Sequence, residues 1–482
     1  MAVALKKGSE LELEIETLAF GAKGLARLNG YVIFVEQSLP GQRLRVQIIK
    51  KKAGYAEARP LEILRQSQDY VAPPCHHFSD CGGCLVQNLR YEMQLAEKQR
   101  QVVEILQHVG GVTEPEVLPI IDSPEQFFYR NKMEFSFARQ RWLTRAEIAS
   151  GAAAANREFS LGLHARNCYD KTLTIENCWL LSERSNEVLA FVRDATKAHS
   201  LLPYTTRDHT GFWRFFVMRE GKRTGDFMAN FVTTEAAGGR QAVETLSRDL
   251  TQRFPFITTI VHNLNRSKAQ VAIGEEEIVL HGPGYLSDRI GEFDFRISAN
   301  SFFQTNTPGA EKLYGLARDF AGLTGRETVY DLYSGAGTIS IFISKHAKQV
   351  LGFEIVPEAI RDAGVNCRLN GVNNCYFIAG DLKDELAHVP ILKSRWGQPE
   401  VVIADPPRAG MHPRVIQKVL ELAPPRLVYV SCNPGTFARD VKEICSHDYT
   451  LQKVQPVDMF PHTAHCEVVG LLVRVTPQLR VG

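Results

Sequence analysis

The chain has 482 residues, of which 44% are hydrophobic and 23% charged, the usage of an ordinary globular protein and neither disordered nor fibrous. At roughly 150 residues per domain, this length predicts about three domains. Lys and Arg total 56 against 54 Asp and Glu, so the protein is no histone-like polycation and any nucleic-acid binding must come from local patches. Four early glutamates argue against a secretory leader, and no run of about 18 apolar residues could span a membrane. Ten cysteines are too sparse for a disulfide scaffold, so we expect a soluble, cytoplasmic protein.

Residues 1–68 have the pattern of a small β-barrel built from four or five short strands. Polar and apolar residues alternate in the first strand, and Asn29-Gly30 predicts a hairpin. The predicted strands cover 9–17, 25–35 (interrupted by the hairpin), 44–48 and 56–63. Eleven Lys and Arg face seven Asp and Glu here, with the excess concentrated at Lys50-Lys51-Lys52. A barrel with a basic edge is a common RNA-binding device, although a charged strand end in solvent has the same sequence.

A cysteine-rich segment follows, with the spacing Cys75-x5-Cys81-x2-Cys84. Apolar residues at helical spacing then predict a helix near 93–112 that packs on the last domain. The rest of the central domain, assigned to 69–290, is predicted to be rich in β-structure. Its predicted strands lie at 133–138, 172–175, 212–218, 257–263 and 277–280. The stretch 140–157 is predicted to be an inserted loop, and no function is assigned to it.

The last domain, 291–482, alternates strand and helix patterns. Predicted strands lie at 328–332, 350–354, 376–378, 401–404 and 427–430. Predicted helices lie at 339–346, 357–369 and 412–422. This alternation is typical of an α/β domain with a doubly wound, mostly parallel sheet and helices on both faces.

A cofactor site is predicted where the first strand of this domain turns through Gly335-x-Gly337 into a helix. Glycines there let a ligand approach the backbone at the carboxyl edge of the sheet, although a packing turn is equally compatible with a bare Gly-x-Gly. Glu354 ends the next strand and is suited to ribose hydroxyls, and Asp381 follows the third strand, where an adenine amine would lie. Ser340 stands where a dinucleotide site would have its third glycine, which favours S-adenosylmethionine over a nicotinamide.

The fourth strand ends in Asp405-Pro-Pro-Arg408. Methyltransferases that modify exocyclic amines of nucleobases have a similar loop, with an aromatic residue where this chain has Arg408. That departure argues against amine chemistry.

A cysteine follows the fifth strand, in Ser431-Cys432-Asn-Pro-Gly, at the same edge of the sheet. The C5 carbon of uracil is a poor nucleophile until a thiolate adds to C6, and the adduct must then lose its C5 proton to a base. Glu467 is the candidate base, because it begins an otherwise apolar strand where a carboxylate is costly. His462 and His465 are alternatives.

Together with Ser301–Asn306, these segments resemble the RNA uracil-5 methyltransferase family in order and spacing through residues 298–474. The resemblance implies that Cys432 is the nucleophile and Glu467 the base. It implies a pocket for the methyl donor S-adenosylmethionine that is formed by Gln304, Tyr333, Thr338, Glu354, Asp381 and Asp405. Thr338 replaces an asparagine that some members have.

The three clustered cysteines need a fourth ligand, for which Cys168 and Cys178 are candidates, and their spacing fits zinc and an iron–sulfur cluster equally well. The resemblance favours a [4Fe–4S] cluster with Cys178 as fourth ligand, as in the branch that methylates 23S ribosomal RNA. That branch has an N-terminal TRAM domain, which residues 1–68 resemble, whereas the transfer-RNA branch typically lacks barrel and cluster. Tyr129–Lys132 resembles a family segment that faces RNA, although two cations before a strand are also compatible with simple solvation. We therefore expect a monomeric enzyme acting on 23S ribosomal RNA.

Four other functions compete with this interpretation. A transfer-RNA uracil-5 methyltransferase would share the chemistry. An exocyclic-amine methyltransferase would need no cysteine nucleophile. A radical S-adenosylmethionine enzyme would typically have Cys-x3-Cys-x2-Cys. A catalytically silent RNA-binding protein would have no reason to keep both Cys432 and Glu467.

Overall fold

The computed structural model describes residues 5–112, 116–151, 157–168 and 170–475. In these ranges the strands form three sheets and one separate hairpin. None of the helices described there has both the length and the apolar character needed to cross a bilayer.

The N-terminal sheet has six strands in the order β1-β5-β6-β4-β3-β2. They are β1 (Glu10–Glu14), β2 (Thr17–Ala19), β3 (Lys23–Leu28), β4 (Tyr31–Val35), β5 (Arg43–Lys51) and β6 (Tyr55–Arg65). Asn29 and Gly30 both have positive φ and close the β3–β4 hairpin, as the sequence predicted. The sequence missed β2, because three residues are too few to show a period.

One long helix, α1 (Tyr91–His108), links this sheet to the rest of the protein. Leu18 of β2 donates its N–H to Glu97 and accepts from Gln101. Val102 and Leu106, on another face of α1, are buried among apolar residues of the last domain. The helix therefore bridges the first and last parts of the chain.

The central sheet has seven strands in the order β13-β12-β11-β10-β7-β8-β9, flanked by helices. The strands are β7 (Lys132–Gln140), β8 (Glu158–His164), β9 (Thr172–Thr174), β10 (Trp213–Glu220), β11 (Phe227–Thr233), β12 (Thr259–Leu264) and β13 (Glu276–His281). The helices are α2 (Arg145–Ala149), α3 (Glu183–Ala198) and α4 (Gly239–Arg253). The predicted loop at 140–157 thus contains α2, which a Thr144–Glu147 capping box begins, while its residues 152–156 lie outside the described ranges.

The last sheet has the order β18-β17-β16-β19-β20-β22-β21, in which β16 to β20 are parallel. A hairpin, β14 (Tyr285–Ile290) and β15 (Phe293–Ser298), packs into the same core, and residue 291 lies in its turn. The other strands are β16 (Thr328–Leu332), β17 (Gln349–Glu354), β18 (Cys375–Ala379), β19 (Val401–Ala404), β20 (Arg426–Ser431), β21 (Tyr449–Val457) and β22 (Glu467–Arg474). The helices are α5 (Thr307–Ala321), α6 (Thr338–Ile343), α7 (Pro357–Leu369), α8 (Leu382–Glu385), α9 (Val389–Trp396), α10 (Pro413–Leu422) and α11 (Pro434–Cys445).

Candidate active site

The candidate site lies where the order of the last sheet reverses, at the carboxyl ends of the adjacent parallel strands β16 and β19. The turn after β16 has positive φ at Tyr333, Gly335 and Gly337. A Cβ added at Gly337 would lie 2.9 Å from the Phe377 ring, so this position requires glycine for space as well as for conformation. The turn therefore exposes its backbone to a ligand in the crevice.

Two predicted cofactor contacts border this turn. Glu354, at the end of β17, accepts the N–H groups of Gly335 and Val356, each at 2.9 Å. Asp381 caps α8 and forms an ion pair with Lys383 at 2.9 Å, and the hydrogen bond from Lys383 lowers the pKa of the aspartate. Glu354 thus lies at the mouth of the glycine turn, while Asp381 is engaged by its neighbour.

Gln304 and Thr338 approach from other elements. Gln304 is buried, and its carbonyl accepts from Asn131 of the central domain at 2.8 Å. The Thr338 hydroxyl lies 3.1 Å from the phenol of Tyr314. Asp331, Asp405 and Glu467 all raise the pKa of Tyr314, after burial itself, so this tyrosine lies close to all three carboxyl groups. Sequence reasoning missed Tyr314, because an aromatic residue on an apolar helix face looks like ordinary core.

Asp331 and Asp405 are buried carboxyl groups at the ends of β16 and β19. Burial raises the pKa of each to about 7, and Asp331 adds to the effect on Asp405. Asp331 accepts a 2.5 Å hydrogen bond from the Ser340 hydroxyl. Ser340, which stands where a dinucleotide site would have its third glycine, therefore binds Asp331.

Cys432 and Glu467 lie side by side, because antiparallel pairing joins Ser431 of β20 to Val468 of β22. Burial raises the pKa of Glu467 to about 8, with Asp405 contributing in the same direction. Burial also raises the pKa of Cys432 to about 11, and the nearby Glu467 carboxyl adds to that effect. A carboxylate with this pKa is suited to accept a proton near neutral pH.

Arg408 is the cation of the site. Its charge lowers the pKa of the Cys432 thiol, and its guanidinium donates to the His465 ring at 2.8 Å. Its carbonyl accepts from Asn433 and Thr436, which ties the loop after β19 to the loop after β20. Arg408, which stands where amine methyltransferases have an aromatic residue, thus places a positive charge beside the candidate nucleophile.

The two alternative bases are held as neutral rings. Burial lowers the pKa of His465 and of His462 to about 4 each. His462 hydrogen bonds to Gln94 at 3.2 Å and stacks on Phe127 at 4.3 Å between ring centroids. These contacts indicate a local structural role for His462.

The predicted cysteine ligands line one cavity of about 690 Å³ in the central domain. Its lining includes Cys75, Cys81, Cys84, Cys168 and Cys178. Burial raises the pKa of Cys84, and Cys178, Cys81 and Cys75 add to that effect. Within the described ranges, no group of three or more His, Cys, Asp or Glu residues is spaced to hold a single metal ion. The thiols converge on a common cavity without the tight spacing that a mononuclear site would need.

Comparisons with known proteins agree with this architecture. Residues 240–475 match the tRNA (Uracil-5-)-methyltransferase family, and residues 4–61 match the TRAM domain. The chain is 41% identical to an uncharacterized RNA methyltransferase of Chlorobaculum tepidum, over 98% of each chain. It is 42% identical to another from Porphyromonas gingivalis, over 96% of this chain and 100% of that protein.

A solved structure covers nearly the whole chain. This is the Pyrococcus abyssi tRNA (uracil-54, C5)-methyltransferase in complex with S-adenosyl-L-homocysteine, which is 30% identical and superimposes with a TM-score of 0.73. The match covers 96% of this chain and 100% of that one. The chain therefore belongs to the RNA uracil-5 methyltransferase family, as an S-adenosylmethionine-dependent enzyme with an N-terminal TRAM domain.

Proposed function

We propose that this enzyme methylates the C5 carbon of a uridine in 23S ribosomal RNA through a covalent adduct with Cys432. The observation that carries this proposal is the pairing of Cys432 with Glu467 beside the cofactor crevice, with the Arg408 guanidinium close enough to lower the pKa of the thiol. Residues 1–68 and 69–290 bind RNA, and residues 291–482 carry out the chemistry.

The reaction begins when the Cys432 thiolate adds to C6 of a uracil that has been flipped out of its stack. The enolate that forms attacks the methyl group of the sulfonium through C5, and S-adenosylhomocysteine leaves. Glu467 then takes the C5 proton, the C5–C6 double bond re-forms and the C6–S bond breaks. Arg408 stabilises the thiolate before attack and after its release.

The donor lies over the glycine turn. Glu354 accepts the ribose hydroxyls there, and Asp381 accepts the adenine amine once it has exchanged its contact with Lys383. Gln304, Tyr333 and Thr338 line the rest of the pocket. Binding of the donor should depend on Glu354 more than on Asp381, which is already ion-paired with Lys383.

We further propose that Cys75, Cys81, Cys84 and Cys178 hold a [4Fe–4S] cluster. The convergence of these thiols on one cavity supports this proposal. When bound, the cluster supplies a structural cross-link through four thiolates, and methyl transfer needs no electron from it. Cys178 is favoured over Cys168 because it acts electrostatically on Cys84.

Transfer RNA is the second candidate substrate. It is favoured by the Pyrococcus abyssi enzyme, whose name gives a transfer-RNA uridine and whose whole chain is covered by the match. That coverage, which includes the N-terminal residues, weakens the expectation that the barrel marks the ribosomal branch.

Mapping of 5-methyluridine tests both candidates. Ribosomal and transfer RNA would be compared from cells with the intact gene, without it, and with a Cys432→Ala copy. We expect one or more 23S positions to lose the methyl group in the last two strains. Loss confined to transfer RNA would transfer the proposal to the second candidate, and no loss in either RNA would refute the activity.

A further inference from the structure

The loop that leads into the candidate base, residues 458–466, is held by side chains from much earlier in the chain. Asp458 accepts from the Tyr91 phenol at 2.9 Å and from the Lys98 ammonium at 2.7 Å. The side chains of Lys98 and Asp458 are 5% and 0% exposed, so this is a buried ion pair. Breaking one partner of such a pair leaves an uncompensated buried charge, so α1 fixes the start of the loop firmly.

Two further residues of this loop, Phe460 and Pro461, are also held by side chains from earlier in the chain. The Phe460 carbonyl accepts from Lys98 at 3.1 Å, and the Pro461 carbonyl accepts from the Tyr129 phenol at 3.2 Å. Arg130 lies over the Phe460 ring, 5.9 Å from its centroid. The central domain therefore shapes a loop that belongs to the catalytic domain.

His462 connects this loop to the cysteine segment. Its carbonyl accepts from the N–H groups of Leu85 at 2.7 Å and Val86 at 3.1 Å, the two residues directly after Cys84. Its own N–H donates to Gln94 Oε1 at 3.0 Å, and Gln94 Nε2 donates to its Nδ1 at 3.2 Å. His462 also has a φ of +66°, which a residue with a side chain adopts only when its surroundings impose it.

From His462 a short series of contacts reaches the nucleophile. The Thr463 hydroxyl donates to Phe460 O at 2.8 Å and accepts the His465 N–H at 3.2 Å. The His465 ring then contacts Arg408, whose charge acts on the Cys432 thiol. Two residues after His465, the chain reaches Glu467.

We propose that His462 is a positioning residue through which the cysteine segment sets the place of Glu467. The inference rests on the proposed function, and it gives the cysteine segment a part in proton abstraction as well as in folding. Glu467 is the side chain that depends most on this contact, because it begins the strand that the loop feeds. Cys432 and Arg408 lie on two other loops that are tied to each other through Asn433 and Thr436. Loss of the His462 contacts should therefore slow proton abstraction by Glu467 and release of the adduct more than the addition of Cys432 to the uracil.

Single-turnover methylation tests this ordering, with labelled RNA and denaturing gels that report free RNA, covalent adduct and released product. His462→Ala keeps the carbonyl that accepts from Leu85 and Val86, but it removes the ring contacts with Gln94 and Phe127 that hold this residue at positive φ. We therefore expect the loop to shift and a methylated adduct to accumulate, because a base misplaced by about 1 Å can lose about 100-fold in rate. His462→Asn should recover most of the release rate, since asparagine tolerates positive φ and its amide oxygen can accept from Gln94. His281→Ala, at an exposed position on β13, is the matched control and should behave as wild type.

Binding of S-adenosylhomocysteine and hydrogen exchange complete the test. We expect His462→Ala to bind the ligand normally and to lose exchange protection in 458–466 but not in β16 to β20. Normal release in a folded His462→Ala enzyme would overturn the proposal, and so would equal losses in adduct formation, release and ligand binding. Failure of the proposed function would look different, because wild type would then form no adduct and Cys432→Ala would stay active.

Discussion

Arg408 should control how fast the covalent adduct forms, because its positive charge lowers the pKa of the Cys432 thiol. Burial and the nearby carboxyl groups hold the pKa of Cys432 at about 11 even with Arg408 present. Two charges about 4 Å apart at the edge of a protein interact by up to about 4 kcal/mol, and partial solvation reduces this. Removal of the guanidinium should raise the thiol pKa enough to lower the thiolate fraction about 10- to 100-fold at neutral pH.

The assay is the rate of adduct formation with saturating RNA that contains 5-fluorouridine, measured from pH 6.5 to 9.5. Fluorine cannot leave as a proton, so the enzyme is trapped after methyl transfer and the rate reports the early steps. We expect Arg408→Gln to be about 10- to 100-fold slower than wild type at each pH. Both rates should rise with pH, because the thiol pKa, about 11 in wild type and higher in the variant, lies above this range. Arg408→Lys should lie between the two, since it keeps the charge without the planar fork. A rate in Arg408→Gln equal to that of wild type across the range would refute the reasoning.

Four further predictions follow from the structure. The rate of product release should rise with pH and level off above about 8. Burial raises the pKa of Glu467 to about 8, and only its carboxylate accepts the C5 proton. A release rate that does not change with pH in single-turnover experiments would contradict this. Glu467→Gln should raise the free energy of unfolding by about 1–3 kcal/mol at pH 8 and by almost nothing near pH 3.5. The reason is that the raised pKa makes folding less favourable as pH rises from about 4.3 to 8. Calorimetry at the two pH values, with a higher thermal midpoint for the variant only at pH 8, checks the sign. The double variant Lys51→Gln, Lys52→Gln should reduce the slope of log affinity for RNA against log salt concentration by about 1. Both lysines are exposed and lie next to Lys50, which is ion-paired. Lys418→Gln, at another ion-paired lysine, is the control, and an unchanged slope in the double variant would place the phosphate contacts elsewhere. Anaerobically purified protein should be brown and contain about four irons per chain. Cys178→Ala should lose the iron and Cys168→Ala should keep it. Stoichiometric zinc without iron would contradict the cluster.

Short-range signals in the sequence were sufficient for much of the fold. Asn29-Gly30 predicted its hairpin because a two-residue turn with positive φ is a local property. The strand ending at Ala404 was also predicted, since a buried parallel strand gives an uninterrupted apolar run. The strand β11 (Phe227–Thr233) was missed, because Asn230 interrupts its apolar run with a residue that hydrogen bonds to Asn263 on the neighbouring strand.

Some residues of the candidate site could likewise be predicted from the sequence, and others could not. Cys432 and Glu467 could be singled out because each is chemically out of place at the edge of a sheet. Tyr314 and the contacts of His462 could not, since their partners lie far away in sequence: Gln94 is 368 residues from His462. Pairing of that kind depends on how the domains pack, which no local period or spacing encodes.

Mass spectrometry of the trapped complex tests the central claim most directly. Wild-type enzyme, S-adenosylmethionine and RNA with 5-fluorouridine would be incubated, digested with protease and nuclease, and the cross-linked peptide sequenced. We predict one species, in which the sulfur of Cys432 is joined to a fluorouridine that has also gained a methyl group. A methylated RNA product formed without any such adduct, or a cross-link to another residue, would contradict the mechanism.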